Sequence, residues 1–286
     1  MGGLARGAGP RGRHRLNHSV APPCGGVCPG GSLEVIAFYN LKGGVGKTAA
    51  AVNLAWLAAR DGLPTVFWDL DAQGAASWYL GVEEGLQGKP RKLLSGKRPI
   101  GRELCDTAWD NLQLLPADER YRHLDLHLDE KGGDDRLHQL LEPLSERYAL
   151  AVLDCPPSFS RLSENVFRAA SRVLVPLVPT PLSLRAWAQL RAFFKQHELP
   201  RRKLVPFWSM VDRRRGMHRQ LVEQPPLNMK RLLGPAIPYS TQVEQMGLHQ
   251  RPVCDFAPTS PAARAYEALW DEVRQHLEGL PGHHLA

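Results

Sequence analysis

Two lysines bracket a glycine run early in the chain, Lys42-Gly43-Gly44-Val45-Gly46-Lys47-Thr48. Residues of these types at this spacing suit a polyphosphate. Glycine takes backbone dihedrals closed to other residues and lets the main chain approach an anion, so successive N–H groups can converge on phosphate oxygens. Gly43, Gly44, Val45, Gly46 and Ala49 would supply that backbone, Lys47 would reach the β/γ-phosphates, and Thr48 would hold Mg²⁺. Two carboxylate segments lie further along. Asp69-Leu70-Asp71-Ala72-Gln73-Gly74 follows one short apolar run and Asp154-Cys155-Pro156-Pro157 follows another. A carboxylate at the end of a buried strand can hold Mg²⁺, often through water, which makes Asp154 the second metal candidate. Asp71 fits a cap on the helix that follows, and Asp69 a supporting role.

The elements that must position these groups follow from periodicity. Val35 to Tyr39 reads as a buried strand and Ala49 to Arg60 as a helix, so the glycines fall on a strand-to-helix turn whose helix presents its positive end to an anion. Further strands are expected at Pro64 to Trp68, Leu112 to Leu115, Leu150 to Leu153, Val173 to Val178 with a break at Pro176, and Leu204 to Met210. Helices are expected near Lys92, at Asp134 to Arg147, Leu184 to Gln196, Thr241 to Leu248 and Ser260 to Glu278, and Arg219, Lys230 and Arg231 fall along one more helical stretch. Strands alternating with helices predict a doubly wound α/β fold, its sheet mostly parallel and flanked by helices on both faces.

The strict phosphate-loop pattern asks for glycine at position 41, where this chain has Leu41. The Lys-Gly-Gly-x-Gly-Lys-Thr form instead resembles the deviant Walker A of the ParA/MinD family of ATPases. That resemblance implies that Lys42 crosses a dimer interface to the phosphates bound by a partner subunit. The segment from Asp69 is similar to the family's Asp-x-Asp-Pro-Gln-Gly, with Ala72 for proline, and implies that Asp71 orients the attacking water. Lys42, Lys47 and Asp71 are then the candidate catalytic residues. Leu112 to Leu115 followed by Pro116-Ala117, and Asp154-Cys155-Pro156-Pro157, resemble the ParA branch. A Met-x-Asp-x-Arg-like turn at Met210 and an Ile-Pro segment at Ile237-Pro238 complete the resemblance over about residues 34 to 278. Tyr239 and Ser240 replace the usual Arg-Asn, and Met210 and Pro238 are the candidate adenine contacts.

The chain has 286 residues, 43 % apolar, enough for one sizeable core. The expected division is a basic Gly/Pro/Arg-rich tail at 1–32, an ATPase domain at 33–280 and a flexible end at 281–286. The tail is either a basic arm or an extension outside the fold. Five cysteines give no disulfide framework, and Cys24 and Cys28 have no second ligand pair near them. No segment approaches about 18 uninterrupted apolar residues, so no membrane span is expected.

The net charge of +7 is unevenly placed. Residues 1–31 carry +4 from Arg6, Arg11, Arg13 and Arg15; residues 185–231 carry +9, with twelve Lys/Arg against Glu198, Asp212 and Glu223; the remainder sums to −6. Such concentration reads either as a solvated face or as a footprint for a polyanion. The DNA-binding candidates are Arg201, Arg202, Lys203, Arg213, Arg214, Arg215, Arg219, Lys230 and Arg231, with Asp212 holding their turn.

The resemblance implies a cytoplasmic, nucleoid-associated homodimer that takes ATP and Mg²⁺, binds nonspecific DNA and answers to a ParB-like cargo adaptor. Hydrolysis is expected to be weak until stimulated. The final helix carries net −2, unlike a membrane-surface helix, which weighs against a MinD-like regulator. A metal-cluster carrier on the same fold would need a cysteine pair meeting across a dimer. A nucleotide-locked DNA scaffold would not need the intact set of Lys47, Thr48, Asp71 and Asp154.

Overall fold

The computed structural model describes residues 32–123, 128 and 133–277. The expectations for the tail, for Cys24 and Cys28, for Glu278 and for 281–286 lie outside the described residues. Among the described residues, eight strands form one sheet in the order β3-β4-β2-β5-β1-β6-β7-β8. These are β1 (Glu34–Phe38), β2 (Thr65–Asp69), β3 (Cys105–Asp106), β4 (Leu112–Leu115), β5 (Leu150–Asp154), β6 (Arg172–Leu177), β7 (Leu204–Val211) and β8 (Ala236–Pro238). All pairs are parallel except β3 with β4. The chain builds β2 to β5 on one side of β1 and β6 to β8 on the other. The carboxyl end of β1 is therefore where the winding reverses, the place open α/β sheets bind ligands.

Side chains alternate across the strands, so the sheet feeds two cores. Val35, Ala37, Tyr39, Trp68 and Leu153 face one side, covered by α4 (Arg136–Leu141), α5 (Arg161–Ala169) and α6 (Pro181–Gln196). Ile36, Phe38, Phe67 and Val152 face the other, covered by α1 (Lys47–Arg60), α10 (Val253–Phe256) and α11 (Pro261–Arg274). Further α-helices among the described residues are α2 (Ala75–Tyr79), α3 (Pro90–Leu94), α7 (Gly216–Glu223), α8 (Thr241–Glu244) and α9 (Met246–His249). Coverage of both faces explains the near-continuous apolar runs of the central strands.

Several expectations need correction. The helix expected from Asp134 to Arg147 is α only to Leu141 and then tightens to 3₁₀ over Glu142–Glu146, because Pro143 lacks the N–H that would continue the α ladder to the Gln139 carbonyl. Pro176 does not break β6. It stays in register with Phe207 of β7, and on the β1 side, where its missing N–H ends the ladder after Tyr39, its carbonyl accepts from the Asn40 carboxamide instead. The helix expected over Thr241 to Leu248 is two short ones, and the second ends where Gln250 turns left-handed at φ 49°. Lys230 and Arg231 are not helical, since α7 stops at Glu223 ahead of Pro225-Pro226. The final helix runs to Arg274, is capped by Ser260, and buries Tyr266, Leu269, Trp270 and Val273 against the core.

Candidate active site

The loop from Tyr39 to Gly46 links β1 to α1. Gly44 and Gly46 sit at φ 67° and 83°, and a Cβ at Gly46 would stand 2.8 Å from the Ser209 Oγ at the end of β7. Position 46 therefore excludes a side chain twice, by dihedral and by space. Gly46 leaves α1 without a side-chain cap, so the first-turn N–H groups remain directed at the hollow of the loop. Lys47 begins the helix and is only 7 % exposed.

Two buried carboxylates lie at the carboxyl edge of the sheet, and one of them, Asp154, meets the Thr48 hydroxyl at that helix start. Asp154 and Asp69 are register partners at the carboxyl ends of β5 and β2. Asp69 is fully hydrogen-bonded: its Oδ2 accepts from the N–H and hydroxyl of Ser77 (both 2.9 Å), and its Oδ1 from the Asp71 N–H (3.3 Å). Asp154 leaves its buried Oδ1 without a partner. Burial, and then the charge of Asp69, push the Asp154 carboxyl well above the usual carboxylate range, against the opposing pull of the Thr48 hydroxyl and Lys47. Burial also raises Asp69, against its hydrogen bonds from Ser77. An unpaired buried carboxylate oxygen beside a threonine hydroxyl suits a hard divalent cation that completes its shell with water and phosphate oxygens. Among the described residues there is no cluster of three or more His, Cys, Asp or Glu able to hold a metal without such help.

The other candidates fall around this centre. Asp71 is half-buried and caps its own turn through the Gln73 N–H (3.0 Å), while its charge is felt at Asp154. Lys42 is half-buried and, among the described residues, in no ion pair. Val45 is buried, and Gly43 and Gly44 are exposed with open space where a Cβ would stand. Met210 holds a left-handed φ of 54°, and its Cγ lies 3.8 Å from the position a Cβ at Gly46 would take. Pro238 pairs with Val211 across an irregular β7–β8 register. Met210 and Pro238 thus stand at adjoining strand ends beside the loop.

The basic candidates do not form one patch. Arg201, Arg202 and Lys203 precede β7, whereas Arg213, Arg214, Arg215 and Arg219 follow it on the same edge of the sheet as the loop. Lys203 is turned inward, donating to the carbonyls of Phe167 (3.1 Å) and Arg168 (2.8 Å), and burial with neighbouring Arg202, Arg168 and Arg172 lowers its pKa. Asp212 pairs with Arg214 (2.9 Å) and Arg215 (3.7 Å), and the Arg214 hydrogen bonds hold its carboxyl down at about 2. Arg219 donates to the Arg213 carbonyl (2.8 Å). His218 is buried and accepts the Asp212 N–H on Nδ1 (3.1 Å), tying the turn to α7.

Sequence reasoning missed three positions. Asn40 precedes the lysine by two residues, the spacing of an Asx turn, so a signal existed. Tyr39, whose hydroxyl donates to the Ser158 carbonyl (3.0 Å), and Ser209, which closes on Gly46, depend on distant segments and had none.

The chain is similar to known proteins over most of its length. A family model described as an AAA domain matches residues 33–204. The chain is similar to the chromosome-partitioning ATPase Soj of Treponema pallidum, 29% identical over 84% of this chain and 96% of that protein. It is likewise similar to the chromosome-partitioning ATPase Soj of Thermus thermophilus, 33% identical over 85% of this chain and 96% of that one. Among solved structures, a cobyrinic acid a,c-diamide synthase from Mycobacterium smegmatis with bound ADP and magnesium superposes with a TM-score of 0.70 at 25% identity, covering 85% of this chain and 95% of the other.

Proposed function

Because this chain belongs to the ParA/MinD family of P-loop ATPases, we propose that it is a partition ATPase that closes into a homodimer over ATP and grips DNA without regard to sequence while closed. A ParB-like adaptor carrying the cargo would stimulate hydrolysis and so release the grip. The reading places the protein in the cytoplasm, on the nucleoid.

The observation that carries it is the meeting of Lys47, Thr48 and a half-unsatisfied Asp154 under the uncapped start of α1. In this chemistry the protein mainly places charge. Backbone N–H groups from Gly43 to Ala49 and the Lys47 ammonium would bind the β/γ-phosphates. Thr48, and Asp154 through water, would hold Mg²⁺, which when bound neutralises charge developing on the phosphate oxygens. Lys42 would add a cation to the partner's phosphates, and Asp71 would align the attacking water. Met210 and Pro238 would flank the adenine. Among the basic candidates, Arg213, Arg214, Arg215 and Arg219 share the nucleotide edge, which suits a grip that depends on nucleotide.

A MinD-like membrane role finds no support in α11, whose apolar stripe is spent on the core, and no described helix is long and apolar enough to cross a membrane. The test is phosphate release and sedimentation with Mg²⁺-ATP, with and without DNA. Turnover is expected to be low alone and to vanish in Lys47→Ala. A protein that stays monomeric at saturating Mg²⁺-ATP, or holds DNA equally well with no nucleotide, would defeat the reading.

A further inference from the structure

Asn40 is 2 % exposed, and both ends of its carboxamide are committed. Its Nδ2 donates to the Pro176 carbonyl on β6 at 2.7 Å, and its Oδ1 accepts the Lys42 N–H at 3.0 Å. The partners fix the orientation of the amide, since a carbonyl needs a donor and an N–H needs an acceptor. Asparagine supplies both in one planar group.

Lys42 has little else to hold it. Among the described residues its N–H bond to Asn40 is its hydrogen bond, and it makes no ion pair. Gly43 and Gly44, which follow, are exposed and meet no neighbour where a Cβ would stand. A lysine side chain on a loop of glycines loses much rotamer and backbone freedom when it must meet one ligand. Anchoring its backbone beforehand reduces that cost.

We propose that Asn40 is a positioning residue that pins the backbone of Lys42 to β6 and thereby sets the direction in which the lysine leaves the loop toward the nucleotide of a second copy. The inference rests on the proposed reach of Lys42 across a dimer. Asn40 acts through Lys42 and touches no phosphate.

The test uses the full chain as wild type, Asn40→Ala, Lys42→Ala and the double variant. Binding of a fluorescent ATP analogue, ATP-dependent dimerisation by sedimentation, and melting temperature are read in parallel. Asn40→Ala is expected to bind nucleotide within about threefold of wild type yet to dimerise about tenfold more weakly, the scale of one buried hydrogen bond. The double variant should dimerise no worse than Lys42→Ala. Additive losses in the double variant, or equal losses of nucleotide binding and dimerisation in Asn40→Ala, would show Asn40 to be merely structural and overturn the proposal while leaving the lysine's role intact. Normal dimerisation of Lys42→Ala would instead remove the lysine's role itself, and the proposal with it.

Should Asn40→Ala fail to fold, Asn40→Asp carries the test. Its protonated carboxyl can make both bonds and its carboxylate only one, so its dimerisation relative to wild type should recover as pH falls. A ratio unchanged with pH would count against the proposal.

Discussion

Asp69 and Asp154 are neighbours in register, both buried at the carboxyl edge of the sheet, and they differ in what their oxygens do. Asp69 accepts three hydrogen bonds from its own turn and from Ser77, while Asp154 keeps a buried oxygen without a partner. The first is spent on structure and the second is held in reserve. Two adjacent carboxylates with unlike environments can therefore be separated by mutation.

Asp154→Asn should abolish Mg²⁺-dependent hydrolysis, by at least about a hundredfold, and stabilise the nucleotide-free protein at pH 8. The sign follows from linkage. The folded carboxyl holds its proton more tightly than the unfolded one, so ionisation costs folding stability as pH rises from the ordinary carboxylate value toward the raised one. Asparagine removes that cost, and the melting temperature should rise by about 2–4 °C for each kcal/mol recovered. The gain should shrink toward pH 4. A variant less stable than wild type at pH 8 would mean that the carboxylate pair is not strained.

Asp69→Ala should behave differently. It leaves the Ser77 and Asp71 N–H groups short of an acceptor, at about 1–3 kcal/mol for a buried unsatisfied donor. Denaturant unfolding should show the loss with or without ligand. Stability equal to wild type would contradict the assignment of Asp69 to structure.

Gly46→Ala is expected to lose ATP binding even though alanine favours helices. The methyl would meet Ser209 at 2.8 Å and the residue would have to hold φ 83°. Adding Ser209→Gly relieves the contact and leaves the dihedral strained, so titration with an ATP analogue should show partial recovery only. Full recovery would assign the whole cost to the contact.

The sequence was legible where function is local. Strands ending within one residue of Tyr39, Trp68 and Leu153, the glycines between Lys42 and Lys47, and the stripe of α11 all follow from residue type and spacing over a few positions. An Asx pattern also recurs just past strand ends: Asn40 binds the Lys42 N–H, Asp71 that of Gln73, Asp118 that of Arg120, and Asp212 that of Arg214. Each is readable as a polar side chain two residues ahead of its partner. What stayed hidden is set by contacts across the sheet. Ser209 meets Gly46, and Pro176 is tolerated in β6 because β7 still pairs with it and Asn40 takes its carbonyl. Within the basic run, contacts across the fold also separate Lys203, which faces carbonyls, from the arginines, which face solvent.

His218 gives the Arg213–Arg215 turn a dependence on pH. Burial, and then Arg215, lower its pKa, so the folded state takes up fewer protons there than the unfolded state. The stability it contributes is present above its ordinary value of about 6.5 and is lost as pH falls below it. His218→Gln keeps an acceptor for the Asp212 N–H and cannot titrate. Wild type should lose stability relative to that variant between pH 8 and pH 5, followed by thermal unfolding. Parallel pH profiles would exclude His218 as the titrating group.

The two basic clusters flanking β7 make separable predictions about DNA. Eight residues of strand put them about 26 Å apart, too far for one to substitute for the other at a given phosphate. Arg213, Arg214, Arg215 and Arg219 stand on the nucleotide edge, with Asp212 offsetting one charge. Arg201 and Arg202 are exposed at the opposite edge, away from the residues that would sense ATP. Each arginine that neutralises a phosphate contributes about 0.9 to the slope of log affinity against log salt. Arg213→Ala with Arg219→Ala should therefore lower the slope measured with ATP by about two per subunit, about four for the closed dimer, and remove most of the affinity that ATP adds. Arg201→Ala with Arg202→Ala should change binding equally with and without nucleotide. If the second pair instead carries the ATP-dependent part, the DNA lies on the opposite edge, and the coupling between nucleotide and grip would have to pass along the length of β7.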